Sequence, residues 1–221
     1  MNNCPVTLIY CANGNRRFAD IAAASGYRIG AQLPGTVYHP VYFADQDWKK
    51  PNRTTYMAAL ATHRPQMATV LDWEQICQLP EVLEWAEEAS AYTDHVVIIP
   101  KVVEEIGRIP RTIGGKPVVL GYSVPTRYGA TPCCWWEFEG RQVHLLGGSP
   151  HAQMREWDYL RRVADVVSAD GNMINLAATR HCKYWQQGKW VAITPRQSDA
   201  PYEAFRRSCE NIQTEWKRLQ A

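Results

Sequence analysis

The chain has 221 residues, 46% hydrophobic and 21% charged, with a formal net charge of +2. That balance is ordinary for one soluble globular domain, and it excludes a global electrostatic field aimed at a polyanion, so any basic surface has to be local. The seven cysteines are scattered along the chain, which reads as a reduced setting rather than a disulfide framework. Met1-Asn2-Asn3 lacks the charged n-region and apolar stretch of a signal peptide, so none is expected, and no apolar run reaches the ~20 residues of a membrane span. The expected location is the cytoplasm, with no membrane partner.

Short apolar runs recur at residues 6–11, 27–33, 67–71, 95–100, 117–122, 143–146 and 164–167. Helical patterns lie between several of them. Residues 16–24 are Ala-rich, 54–62 are compact, and 81–91 set Val82, Trp85, Ala86 and Ala89 on one face. Residues 153–163 repeat that spacing with Met154, Trp157, Leu160 and Val163, and 202–219 read as a closing helix. Continuous buried strands alternating with amphipathic helices indicate parallel βαβ units. The expected fold is α/β, a TIM-like (β/α) barrel that is small or incompletely closed. It forms a single domain over residues 1–221 with a C-terminal helix at about 201–220. An open doubly wound sheet is the alternative.

In a parallel barrel, the C-terminal strand ends converge on one face, and that face holds the active site. After the first run come Asn13, Arg16 and Arg17. Asp72 and Glu74 follow the third, and Lys101 follows the fourth. The fifth ends Gly121-Tyr122-Ser123, the sixth leads to Gly147-Gly148-Ser149, and the seventh to Asp170-Gly171-Asn172. An Asp after a strand often caps the next helix. Two of them, each closing a strand otherwise free of charge, point instead to paired carboxylates. One faces a cationic sugar carbon and the other handles a proton. Asp170 and Asp72 are therefore the candidate catalytic residues. Asn13, Lys101, Tyr122, Ser123, Gly147, Gly148, Ser149 and Asn172 are the candidate substrate contacts.

"RHCKYWQQGKW" (residues 180–190) interleaves bases with aromatics, a pattern suited to a nucleic-acid backbone and unpaired bases. Arg16, Arg17, Arg127, Arg180, Lys183 and Trp185 are the candidate nucleic-acid contacts, with Lys49, Lys50 and Arg53 after Trp48 as a second small basic cluster. Cys133-Cys134 and His181-Cys182 are adjacent pairs without the spacing that lets two thiolates face one zinc, so no metal is expected. A Cys/His nucleophilic pair built on Cys11 is a weaker option than a buried structural thiol. Without a P-loop or G-x-G-x-x-G, no nucleotide cofactor is expected.

The order "TVLDWE", "VVLGYSVP", "VHLLGGSP", "VVSADGN", spanning about residues 67–175, resembles the tRNA-guanine transglycosylase superfamily, and most closely its DNA-acting branch. The resemblance implies a TIM-like barrel that breaks the bond between base and sugar. Asp170 falls where that family has its nucleophile. Asp72 falls at a carboxylate that contacts the base or moves a proton, and Gly147-Gly148 and Gly121-Tyr122 fall on loops lining the base pocket. The family's zinc site is missing here, and the strand ending at Lys101 carries no acid to read guanine. What the resemblance implies is therefore a glycosylase acting on modified DNA, of the kind found in phage defence, with a hypermodified or glucosylated pyrimidine as target. The alternatives are a guanine transglycosylase inserting a 7-deazaguanine and a non-catalytic binder of modified DNA.

Overall fold

The computed structural model describes residues 5–12, 14–126, 129–194 and 198–221. Eight strands run parallel around a barrel: β1 (Thr7–Ala12), β2 (Arg28–Leu33), β3 (Phe43–Gln46), β4 (Met67–Trp73), β5 (His95–Pro100), β7 (Lys116–Ser123), β8 (Gln142–Leu146) and β9 (Asp165–Asp170). The short β6 (Thr112–Ile113) pairs antiparallel with β7 outside the ring. The barrel closes. β5 pairs β7 through Val96–Val118, Val97–Val119 and Ile98–Leu120, and β9 pairs β1 through Thr7–Ser168 and Ile9–Asp170.

The expected TIM-like α/β barrel is borne out, and it is closed rather than incomplete; the strand absent from the seven apolar runs of the sequence is β3, a four-residue strand, Phe-Ala-Asp-Gln. What this chain trims is the helices. α1 (Arg16–Ala24) follows β1, α2 (Arg53–His63) follows β3, and α3 (Leu79–Ser90) follows β4. α4 (Pro150–Leu160) follows β8, and α5 (Met173–His181) follows β9. The described connections from β2 to β3, β5 to β7 and β7 to β8 hold at most one-turn 3₁₀ segments. A barrel of ~250 residues is thereby reached with fewer.

The floor of the barrel is apolar, built from Ile9, Phe43, Met67, Val97 and Val119. Successive strand residues alternate between the inside and the helix-facing outside. Two one-residue register slips break that alternation. In β4, Thr69 stands opposite Val97 but Asp72 opposite Ile99, so β4 advances three residues while β5 advances two. In β9, Val166 pairs Val143 but Ser168 pairs His144, again one residue extra. A bulge re-aims every side chain beyond it. Without these two, Asp72 and Asp170 would both point into the helix layer; with them, both face the barrel mouth.

α6 (Ala200–Gln220) closes the outside against β1 and α1, with Phe205 in edge contact with Tyr10 and Phe18, each ring pair at 4.9 Å. The basic-aromatic segment is a hairpin, β10 (Lys183–Gln186) and β11 (Lys189–Ala192), laid on α6. Trp185 donates its backbone N–H to Ser208 Oγ at 2.9 Å and accepts from Asn211 at 2.7 Å; its side chain is buried. The expectation that Trp185 stacks on a base is corrected: the ring is packed under the helix.

Candidate functional site

At the C-terminal mouth lies an open cavity of about 380 Å³. Asp170 reaches it from β9, Asp72 from β4 and Asp45 from β3, together with Lys101 beyond β5, Ser123 at the end of β7 and the Gly147-Gly148 turn after β8. The two carboxylates singled out in sequence, nearly a hundred positions apart, therefore share one hollow. No group of three His, Cys, Asp or Glu side chains among the described residues is arranged to hold a metal ion. The acids flank a space rather than a point.

Asp170 is held firmly. Its Oδ1 accepts from the Gly147 backbone N–H at 3.1 Å, and its Oδ2 accepts from Cys11 Sγ at 3.1 Å. Gln153 secures the turn, donating from Nε2 to the carbonyls of Gly147 and Asp170 at 2.8 and 2.5 Å. Burial, then the neighbouring Asp170 charge, pushes the Cys11 thiol well above its usual range. A protonated thiol serves as a donor to Asp170, and the Cys11 nucleophile option is closed.

Across the cavity, Lys101 Nζ donates to Ser123 Oγ at 2.7 Å. Desolvation raises the Asp72 carboxyl to about 6 against the pull of the Lys101 charge, with Glu74 adding to the rise. The same desolvation lowers Lys101, opposed by Asp72 and Glu74.

Asp45, absent from the sequence candidates, is the most perturbed carboxyl on the rim. Desolvation and the Asp170 charge raise it to about 7, while a hydrogen bond from Thr69 Oγ1 at 3.1 Å restrains the rise. Asp45 follows the short apolar stretch Val41-Tyr42-Phe43-Ala44, which is the signal in the sequence that could have found it.

Ser123, Lys101, Gly147, Gly148 and Asn172 line the cavity as expected. Tyr122 does not. It turns outward, packs on Phe138 and donates to Glu156 Oε2 at 3.1 Å, because odd and even residues of β7 face opposite ways. Ser149 caps α4, its Oγ accepting from the Ala152 N–H at 3.2 Å, so it is a structural residue rather than a substrate contact. Asn13 and Arg127 lie outside the described residues.

Arg16 is exposed near Asp20, and Arg17 is engaged by Asp199 at 2.8 Å and by the Tyr202 ring. Arg180 and Lys183 stand at the far end of α5 and in the hairpin, off the cavity. Among the described residues, the exposed aromatic that lines the mouth is Trp48, 59% exposed, with Lys49 Nζ 5.2 Å from its ring.

Gly148 is indispensable to this rim. Its φ is +79°, and a Cβ would overlap the Val124 side chain. Gly148→Ala is therefore expected to lower the thermal midpoint by several degrees, through strain and overpacking of roughly 1–3 kcal/mol. Differential scanning calorimetry measures this, and an unchanged midpoint would show that the turn tolerates a side chain.

A family profile described as "Family of unknown function (DUF6610)" matches residues 22–217. No curated protein matches the chain. Among solved structures, the chain is similar to mutually generated monomers of the dimeric phosphoribosylanthranilate isomerase from Thermotoga maritima. The two are 12% identical, with 94% of this chain and 98% of that chain covered and a TM-score of 0.40.

Proposed function

The chain belongs to the DUF6610 family, and we propose that it is a DNA N-glycosylase that excises a modified base by carboxylate-assisted cleavage of the bond between base and sugar. The observation that carries this reading is the meeting of Asp170, Asp72 and Asp45 over a single cavity at the barrel mouth.

Cleavage at C1′ builds positive charge on the sugar. Asp170, fixed by the Gly147 N–H and the Cys11 thiol, supplies the negative charge that stabilises it, electrostatically or by a bond to C1′. The electron pair of the broken bond goes to the base nitrogen, which takes a proton. Asp45, at about 7, is the donor whose affinity lies nearest a neutral working pH, where general acids are most effective. Water then attacks C1′ and returns a proton to Asp45, leaving an abasic site. In this reading Asp45, rather than Asp72, takes the proton-donating role. Asp72, beside Lys101 and Ser123, is left to bind the base edge.

A base reaches this cavity only outside the stack. Trp48 at the rim, with Lys49 and Lys50 next to it in sequence, offers a ring for stacking and charges for flanking phosphates. The mouth opens to solvent, which favours attack by water over exchange with a second base.

Incubating the protein with phage DNAs carrying different base modifications, then analysing nucleosides and free bases by mass spectrometry, tests the reading. Free modified base with alkali-labile sites is the expected result. An intact strand with an exchanged base would establish a transglycosylase, and binding without any product would establish a non-catalytic reader. The rate is expected to fall as pH rises past about 7, because Asp45 loses the proton that it donates. A rate still climbing at pH 8.5 would remove Asp45 from that role.

A further inference from the structure

His144 sits inside the barrel directly beneath the site, with no exposed surface. Its β8 position points inward, and its ring lies 4.6 Å from that of Phe43. Nδ1 is 2.8 Å from Ser168 Oγ, whose other polar neighbour is Met67 Sδ at 3.7 Å. Among the described residues Nε2 has no hydrogen-bond partner, yet it stands 3.4 Å from Asp170 Oδ1. A buried ring nitrogen without a partner costs on the order of 1–3 kcal/mol. An aliphatic side chain would fill this floor without that cost, as Val119 does on the adjacent β7 and Val97 on β5.

We propose that His144 is the positioning residue for Asp170, carrying its proton on Nε2 and directing it at Oδ1 from below. This rests on the reading of Asp170 as the group that acts at the sugar carbon. The proton location follows from chemistry. A lone pair on Nε2 facing a carboxylate oxygen would be repulsive, whereas Nε2–H is attracted. Nδ1 is then the acceptor, and the Ser168 hydroxyl gives its single proton to imidazole rather than to the much weaker thioether.

Gly147 N–H and, in this proposal, His144 Nε2–H are both directed at Oδ1, while Oδ2 accepts from Cys11 Sγ. Catalytic hydrogen bonds that are long in the free protein shorten when substrate is bound. The buried register slip in β9 that turns Asp170 inward also turns Ser168 onto His144, so one backbone feature builds the whole stack.

Two measurements decide the matter. Long-range ¹⁵N–¹H spectra of the labelled protein, with the ring of His144 assigned from the spectrum of His144→Gln, are expected to show the Nε2-protonated tautomer. The Nδ1-protonated tautomer would overturn the proposal whatever the reaction. In base-release kinetics, His144→Phe keeps a flat ring against Phe43 but has no N–H; its kcat is expected to drop about 10²-fold with KM within twofold. His144→Gln places an amide N–H near the Nε2 position and is expected to recover at least tenfold of that loss, although it fits the apolar floor less well. Were Phe as active as Gln, or were the rates simply to follow the thermal midpoints, His144 would be packing only. If the wild type releases no base from any DNA, it is the glycosylase reading that fails, and the tautomer still decides where His144 directs its proton.

Discussion

If the proposed glycosylase reading holds, replacing Asp170 with asparagine is expected to lower the rate of base release by about 10³-fold or more while leaving the fold and the affinity for DNA in place. The amide is nearly isosteric with the carboxylate. Its oxygen can keep the hydrogen bond from Gly147 N–H now made to Oδ1 at 3.1 Å, and its nitrogen can face the Cys11 sulfur. What disappears is the negative charge under the sugar. A factor of 10³ is about 4 kcal/mol of transition-state stabilisation, a reasonable share for one preorganised charge held at the barrel mouth. Quantifying free base and abasic sites by mass spectrometry gives the rate, and fluorescence anisotropy with the same DNA gives the affinity. Release at the wild-type rate would end the assignment of Asp170. Equal binding with no release by either protein would point to a reader of modified DNA.

That prediction depends on a residue legible in sequence, and its neighbours show why others were not. Asp170 and Asp72 each end a continuous apolar run, and such runs are what a buried parallel strand looks like. The alternation rule alone could not say which way they face, since a single extra residue in β4 and another in β9 reverses the answer. Bulges leave no signature in composition. Asp45 is less legible: it follows only the short stretch Val41-Tyr42-Phe43-Ala44, and β3 itself has four residues, the acid among them, paired on both sides by its neighbours. The TIM-like barrel is legible in the sequence; its eighth strand and the acid on that strand are what the seven apolar runs leave out. The segment around Trp185 failed differently. Bases alternating with aromatics describe a nucleic-acid groove, but they equally describe a two-stranded ribbon with one face on a helix. Burial of Trp185 against Ser208 and Asn211 decides between the two, and it depends on a helix twenty residues further on. Tyr122 shows period two at work, one step along the strand from a residue that does line the cavity.

Replacing Asp45 with asparagine is expected to abolish efficient base release and, at pH 8, to make the protein more stable. The two effects have one origin. Desolvation and the charge of Asp170 raise the Asp45 carboxyl from an ordinary 3.8 to about 7. Between those values the folded protein holds a proton that the unfolded chain has released, so stability declines as pH rises through the window and the loss is complete above the folded value. The shift corresponds to at most ~4 kcal/mol. Because the carboxyl is partly open to the cavity, about half of that is the reasonable expectation. An amide is neutral at every pH and can accept the same hydrogen bond from Thr69 Oγ1 at 3.1 Å, with Gln46 N–H still bonded to Thr69 Oγ1 at 2.9 Å. The variant therefore escapes the loss. For a chain of this length, ~2 kcal/mol raises the thermal midpoint by about 4–8 °C. Near pH 4, where the native carboxyl is itself neutral, the gap between variant and wild type closes. Midpoints from calorimetry at pH 4, 6 and 8 trace this directly, and a gap that stayed constant with pH, or reversed, would show that Asp45 is not destabilised by its charge.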